Sequence, residues 1–122
     1  MESPYKGKTG PVRLWNAFGY SLAGFRAAYK HDDAFRQEVL LAIILVPMAL
    51  YVPVGYLGKA LMIGSVLLVI IVELLNSAIE ATVDRISLEN HTLAKRAKDI
   101  GSAAVLVSLI NVIAVWALVL LA

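Results

Sequence analysis

The chain has 122 residues, of which 60% are hydrophobic, and its formal net charge is +2. Its mean hydropathy is +0.77. Because soluble domains are only about 45–50% apolar, this composition excludes an ordinary soluble domain. The sequence contains no cysteine, which excludes disulfides and thiol chemistry. The length predicts one integral-membrane domain over residues 1–122.

The N-terminal arm carries an apolar pattern of helical period. Apolar residues recur every three or four positions, which predicts an amphipathic helix over about 12–30. They are Leu14, Phe18, Leu22, Phe25 and Tyr29. Basic residues accompany them, so we expect the helix to lie on the cytoplasmic membrane surface; packing against another protein is the alternative. No nucleic-acid partner is expected, because basic segments beside membrane spans usually mark the cytoplasmic side.

Three long apolar segments follow this arm. The first predicted span covers about 34–58, and Pro47 inside it is tolerated where neighbouring helices satisfy the freed backbone groups. The second and third cover about 60–84 and 97–122. The predicted fold is therefore an all-α membrane protein with three transmembrane helices and an N-terminal amphipathic surface helix.

The basic residues predict the orientation of these spans. Six lie in the first 38 residues and four in the connection 84–99, whereas only Lys59 lies in the first turn. The positive-inside rule therefore places the N-terminus and the 84–99 connection in the cytoplasm. The first turn and the C-terminus are expected outside.

The second span carries a polar stripe. At 100° per residue, five polar side chains fall within about 100° of arc. They are Glu73, Asn76, Ser77, Glu80 and Asp84. If Asp84 lies at the membrane interface, Glu80 is about 6 Å deeper and Glu73 about 16 Å deeper, at 1.5 Å per residue.

Carboxylates within a span are costly and usually functional, and three interpretations of the stripe are open. Glu73 and Glu80 could pair with basic residues of a neighbouring helix, or could form a proton or ion path. They could also form a catalytic site at the membrane surface. A deep carboxylate can act as a general base on a lipid hydroxyl, whereas a shallow one can bind Mg²⁺.

Other residues on the cytoplasmic side could complete such a catalytic site. Asp32 or Asp33 can supply a second metal ligand, and Lys98 beside Asp99 can meet a phosphate. Arg13 adds a positive charge on the N-terminal arm.

Several of these segments resemble the prokaryotic diacylglycerol kinase family. The resemblance is carried by "FRQE" (35–38), "VELLNSAIEATVDR" (72–85) and "RAKDIGSAAVL" (96–106), and it extends from "AFGYSLAGFRAA" (17–28) nearly to the end of the chain. It implies a homotrimer with shared active sites in the bacterial inner membrane. The implied reaction transfers the γ-phosphoryl group of MgATP to diacylglycerol, which yields phosphatidic acid.

The resemblance also implies roles for individual residues. Glu73 is the general base, and Asp32 and Glu80 are the Mg²⁺ ligands. The nucleotide is expected at Arg13, Tyr20, Asp32, Glu80, Glu89, Asn90, His91, Lys98 and Asp99. The lipid is expected at Gln37, Glu38, Glu73, Asn76 and Ser102.

One residue departs from the family pattern. The family usually has glutamate where Asp32 stands, so Asp33 could share the second metal position. Two rival functions stay open: a kinase of polyprenols such as undecaprenol from the same superfamily, and a non-enzymatic assembly or ion-conducting protein.

Overall fold

The computed structural model describes residues 9–86 and 92–122, and all regular structure in these two ranges is helical. The helices are α1 (Gly10–His31), α2 (Asp33–Tyr51), α3 (Tyr56–Ile86) and α4 (Thr92–Leu121). By length and composition, α2, α3 and α4 are long and apolar enough to cross a membrane. The prediction of an all-helical protein with three candidate spans is thus confirmed for the described residues.

Asp32 makes the break between α1 and α2. Its extended backbone ends α1, and its N–H donates to the Ala28 carbonyl at 2.9 Å. Its side chain caps α2 by accepting from the Phe35 N–H at 3.1 Å, which satisfies one of the unpaired donors at a helix start. The Asp32 carboxylate, which is predicted from the sequence to be a metal ligand, is thereby fixed at the junction of α1 and α2.

The far end of α2 is fixed by a side chain from α3. Lys59 Nζ donates to the carbonyl oxygens of Leu50 at 2.5 Å and Val52 at 2.9 Å. These carbonyls lie at the helix end, where the last four have no helical partner and a cation is favourable. Pro47 lies within α2, which continues past it to Tyr51.

Helix α3 is the centre of the structure. It packs against α2 on one side and α4 on the other, and α1 contacts both α2 and α3. The indole N–H of Trp116 ties α4 to α3, since it lies 3.2 Å from both the Met62 carbonyl and the Ser65 hydroxyl. The buried apolar residues are Ala28, Phe35, Ala49, Met62, Val66 and Val69.

Candidate active site

The polar stripe of α3 runs from buried to exposed. Only 2% of Glu73 and 7% of Asn76 are exposed. One and two turns further on, Glu80 and Asp84 are exposed. The Asn76 amide donates to Glu80 Oε1 at 3.3 Å, so the buried and exposed parts of the stripe are linked.

Asp32 faces this stripe from the junction of α1 and α2. The Ser77 hydroxyl donates to its Oδ2, while Oδ1 caps α2. Burial acts to raise the pKa of Asp32. Hydrogen bonds involving the side chains of Ser77 and Glu73 and the backbone at Phe35 and Ala34 outweigh burial, so the pKa lies below its ordinary value. Asp32 is therefore an anion at neutral pH.

Three carboxyl groups meet beneath this junction. The Glu73 carboxyl lies within hydrogen-bonding reach of those of Asp32 and Glu38, and we call these three residues the carboxyl cluster. Two of its oxygens, Glu38 Oε2 and Glu73 Oε2, are buried and have no hydrogen-bond partner among the described residues. The same holds for the amide oxygen of Asn76. Buried acceptors without donors are uncommon in folded proteins, so these three atoms mark a site that a donor group could fill.

An acidic cavity opens beside the cluster. Its volume is about 580 Å³, and Asp32, Glu80 and Asp84 all line it, together with Ser77 and His31. Mg²⁺ is usually bound by one or two carboxylates together with waters and substrate phosphates. Asp32 and Glu80 contribute two carboxylates to the lining of this cavity, a number that such an ion usually takes from a protein. Within residues 9–86 and 92–122, no three His, Asp or Glu side chains are arranged to hold a metal.

Two apolar grooves lie along α2, and the smaller one reaches the cluster at Glu38. The larger, of about 790 Å³, runs between α1 and α2 and is lined by residues such as Phe25, Val39 and Pro47, with Arg26 and Lys30 among its lining. The smaller, of about 180 Å³, lies among α2, α3 and α4, and Glu38 is its charged residue. A molecule with acyl chains and a hydroxyl group could therefore place its hydrocarbon next to these carboxyls.

Other predicted residues lie outside the acidic cavity. Lys98 bridges α4 to α3, with its Nζ 2.7 Å from Asp84 Oδ1. Asp99 pairs with Lys95 on its own helix at 2.7 Å. The remaining predicted residues with described side chains are all exposed: Arg13, Tyr20, Gln37 and Ser102. Glu89, Asn90 and His91 lie outside the described residues.

Ser77 contributes to the site but is not among the predicted site residues. Ser77 donates to Asp32 across the α2–α3 contact, although it is not expected to bind substrate. The signal was its place on the polar stripe, within the same arc as Glu73 and Glu80. A hydroxyl on the stripe can orient a carboxylate without taking part in chemistry.

Comparison with known proteins gives consistent matches over most of the chain. Residues 19–120 match the family model described as prokaryotic diacylglycerol kinase. A Pseudomonas aeruginosa protein named diacylglycerol kinase is 58% identical over 98% of this chain and 97% of its own length. Proteins of the same name from Escherichia coli (49% identical, 92% of each chain) and Helicobacter pylori strain 26695 (43% identical, 100% of this chain and 94% of the other) are also similar.

Proposed function

The chain belongs to the prokaryotic diacylglycerol kinase family, and on that basis we propose that it transfers the γ-phosphoryl group of ATP to the free hydroxyl of diacylglycerol. The family resemblance seen in the sequence is thus confirmed. The observation in the structure that best supports this reaction is the carboxyl cluster. It combines buried acceptors that lack donors among the described residues with an acidic cavity lined by Asp32 and an apolar groove lined by Glu38.

The lipid hydroxyl is the donor that the buried acceptors lack. Glu73 Oε2 takes its proton while the hydroxyl oxygen attacks the γ-phosphorus, and the bond from that phosphorus to the bridging oxygen of ADP breaks. Glu38 and the Asn76 amide oxygen orient the glycerol end of the lipid. The products are phosphatidic acid and ADP, and the proton on Glu73 is then released to water.

The acidic cavity would hold the metal and the phosphates. Asp32 and Glu80 are the carboxylates that would bind Mg²⁺, with the remaining oxygen ligands coming from ATP phosphates and water. Bound Mg²⁺ would neutralise charge on the transferred phosphoryl group. The lowered pKa of Asp32 supports this role, because its carboxylate stays ionised and able to bind a cation.

The nucleotide residues that lie apart from the cavity support a shared site in a homotrimer. Arg13 and Tyr20 are exposed on the first half of α1, where a neighbouring subunit could use them. In this arrangement α1 is the amphipathic surface helix. It exposes large apolar side chains such as Trp15 at 76% and Phe18 at 60%, which suits a membrane interface.

The charge pattern supports an orientation in the bacterial inner membrane. The N-terminus and the 84–99 connection face the cytoplasm, and the C-terminus faces the periplasm. ATP then reaches the acidic cavity directly from the cytoplasm. By the same charge pattern, the predicted nucleotide residues Glu89, Asn90 and His91 belong to the cytoplasmic side.

The deciding experiment is a phosphorylation assay in detergent micelles. Purified protein, Mg²⁺ and γ-labelled ATP are mixed with diacylglycerol, with undecaprenol, or with a triacylglycerol that has no free hydroxyl. We expect labelled product only with diacylglycerol, and ATP hydrolysis that does not rise with triacylglycerol. Label only in undecaprenol would assign the chain to the polyprenol kinases, and no label in any lipid would reject the kinase.

A further inference from the structure

Gly101 is a buried glycine inside α4, where a glycine is unfavourable for the helix. Its absent side chain leaves a space that the Asn76 amide of α3 occupies. A Cβ built at Gly101 would overlap the Asn76 amide oxygen and would lie 3.2 Å from the amide carbon. The contact of α3 with α4 at this height therefore requires a residue without a side chain.

We call the space left by the absent side chain of Gly101 the seat of Asn76. This seat determines where the Asn76 amide group points. With its oxygen against α4, the amide directs its nitrogen along α3 and donates to Glu80 Oε1. The Asn76 side chain is almost fully buried, so it has little room to adopt another direction. The position of Glu80 in the acidic cavity is thereby coupled to the packing of α4.

The two helices cannot easily separate to relieve an overlap at Gly101. On one side, Lys98 and Asp84 join α4 to α3. On the other side, the Trp116 indole lies 3.2 Å from the Ser65 hydroxyl. An added methyl group at Gly101 would therefore displace the Asn76 amide, because the helices are joined on both sides of it.

We propose that Gly101 is a positioning residue for phosphoryl transfer: its empty side-chain position seats the Asn76 amide, which in turn holds the Glu80 carboxylate in the acidic cavity. This inference rests on the proposed function for its catalytic consequence. The seat itself rests on the contact of Gly101 with Asn76 and is independent of the reaction.

The test is a double-mutant cycle with Gly101→Ala and Asn76→Ala, assayed for kinetics and for thermal unfolding in detergent. In the wild-type background, Gly101→Ala should lower kcat/KM for MgATP by roughly tenfold, the loss expected for a hydrogen bond to a charged group. The Mg²⁺ concentration for half-maximal activity should also rise, because the Asn76 amide no longer holds Glu80. A general packing defect would lower activity without raising the Mg²⁺ requirement.

The Asn76→Ala background separates the seat from other effects. The Asn76 Cβ would lie 3.9 Å from a Cβ at Gly101, an ordinary contact, so alanines fit at both positions. In that background we expect Gly101→Ala to cost no further activity. We also expect its thermal effect to change sign, from a lower unfolding midpoint to an equal or higher one, because alanine favours the helix once the overlap is gone.

Gly64→Ala is the matched control. Gly64 also lies in a membrane-spanning helix, but a Cβ there meets nothing within 4 Å. It should leave the Mg²⁺ dependence near wild type and give an equal or higher unfolding midpoint, because alanine favours the helix where no overlap arises.

If both variants fold, two results would overturn the proposal: an equal loss of activity from Gly101→Ala in both backgrounds, or an unfolding midpoint that falls equally in both. If Gly101→Ala alone fails to fold, recovery of folding in the double variant supports the seat, and failure of both variants rejects it. A wild-type protein that does not phosphorylate diacylglycerol would reject the proposed function, whereas the thermal cycle would still decide whether Gly101 seats Asn76.

Discussion

Replacing Glu73 by glutamine separates catalysis from stability at the proposed base. Glutamine keeps the size and polarity of the side chain but removes the basic oxygen. General-base catalysis contributes about 10²–10⁴-fold, so turnover should fall by at least about 10²-fold. Glu73 is only 2% exposed and lies within reach of two other carboxyls. A buried carboxyl group among carboxyls is costly, and the glutamine amide adds two N–H donors where acceptors lack them.

The same substitution should therefore stabilise the protein. A hydrogen bond to a charged group contributes about 1.5–3 kcal/mol, so one new N–H···O bond from the introduced glutamine to Asp32 or Glu38 sets the scale of the gain. The assay measures kcat with diacylglycerol in micelles and the thermal unfolding midpoint in the same detergent.

A second substitution controls for the general loss of a cluster carboxyl. Glu38→Gln changes a half-buried member of the cluster that is assigned to orientation, and it should lose less turnover than Glu73→Gln. Near-normal turnover in Glu73→Gln would refute the base assignment. Inactivity accompanied by a lower unfolding midpoint would instead indicate that Glu73 maintains the structure.

Three further predictions concern the metal, acid stability and orientation. Glu80→Gln should abolish activity or greatly raise the Mg²⁺ requirement, measured by Mg²⁺ titration. Asp32→Ala should have the same effect. If Asp33→Ala loses activity and Asp32→Ala does not, the second metal ligand is Asp33. Because the pKa of Asp32 is lowered on folding, its stabilising effect is complete above the unfolded pKa, and it is lost as pH falls through the lower folded pKa. The thermal unfolding midpoint should therefore fall less steeply with decreasing pH below about pH 4 in Asp32→Asn than in wild type. Cysteine at Tyr56 should react with an impermeant thiol reagent on intact spheroplasts, whereas cysteine at Thr92 should not, and the reverse pattern would overturn the orientation.

The sequence predicts the helices and the polar stripe well because both depend on local periodicity. Hydrophobic length marks α2, α3 and α4 as spans, and 3.6 residues per turn place Glu73, Asn76 and Glu80 on one face. No knowledge of the neighbouring helices is needed for these conclusions. The burial of Glu73 and the exposure of Glu80, in contrast, depend on which helices pack over α3 at each height.

Contacts between helices could not be predicted in the same way. The approach of Glu38 to Glu73 depends on the crossing angle and rotation of α2 against α3. The sequence of neither helix determines these by itself. The pairing of Lys98 with Asp84 depends on the register of α4 against α3, which the residues between the two helices do not reveal. Gly101 occurs in the quoted family pattern, but the reason for it appears only when α4 is placed against Asn76.

The structure explains how a membrane helix keeps carboxyl groups that would otherwise be excluded from it. The chain satisfies part of the demand for donors: Ser77 and the α2 backbone donate to Asp32, and the Asn76 amide donates to Glu80. Within residues 9–86 and 92–122, no group donates to Glu38 Oε2 or Glu73 Oε2. Filling those positions with donors from the protein would stabilise the fold, but it would also occupy the place proposed for the lipid hydroxyl. The unsatisfied oxygens are therefore where stability and the proposed activity conflict, and the predicted gain in stability on losing Glu73 follows from that conflict.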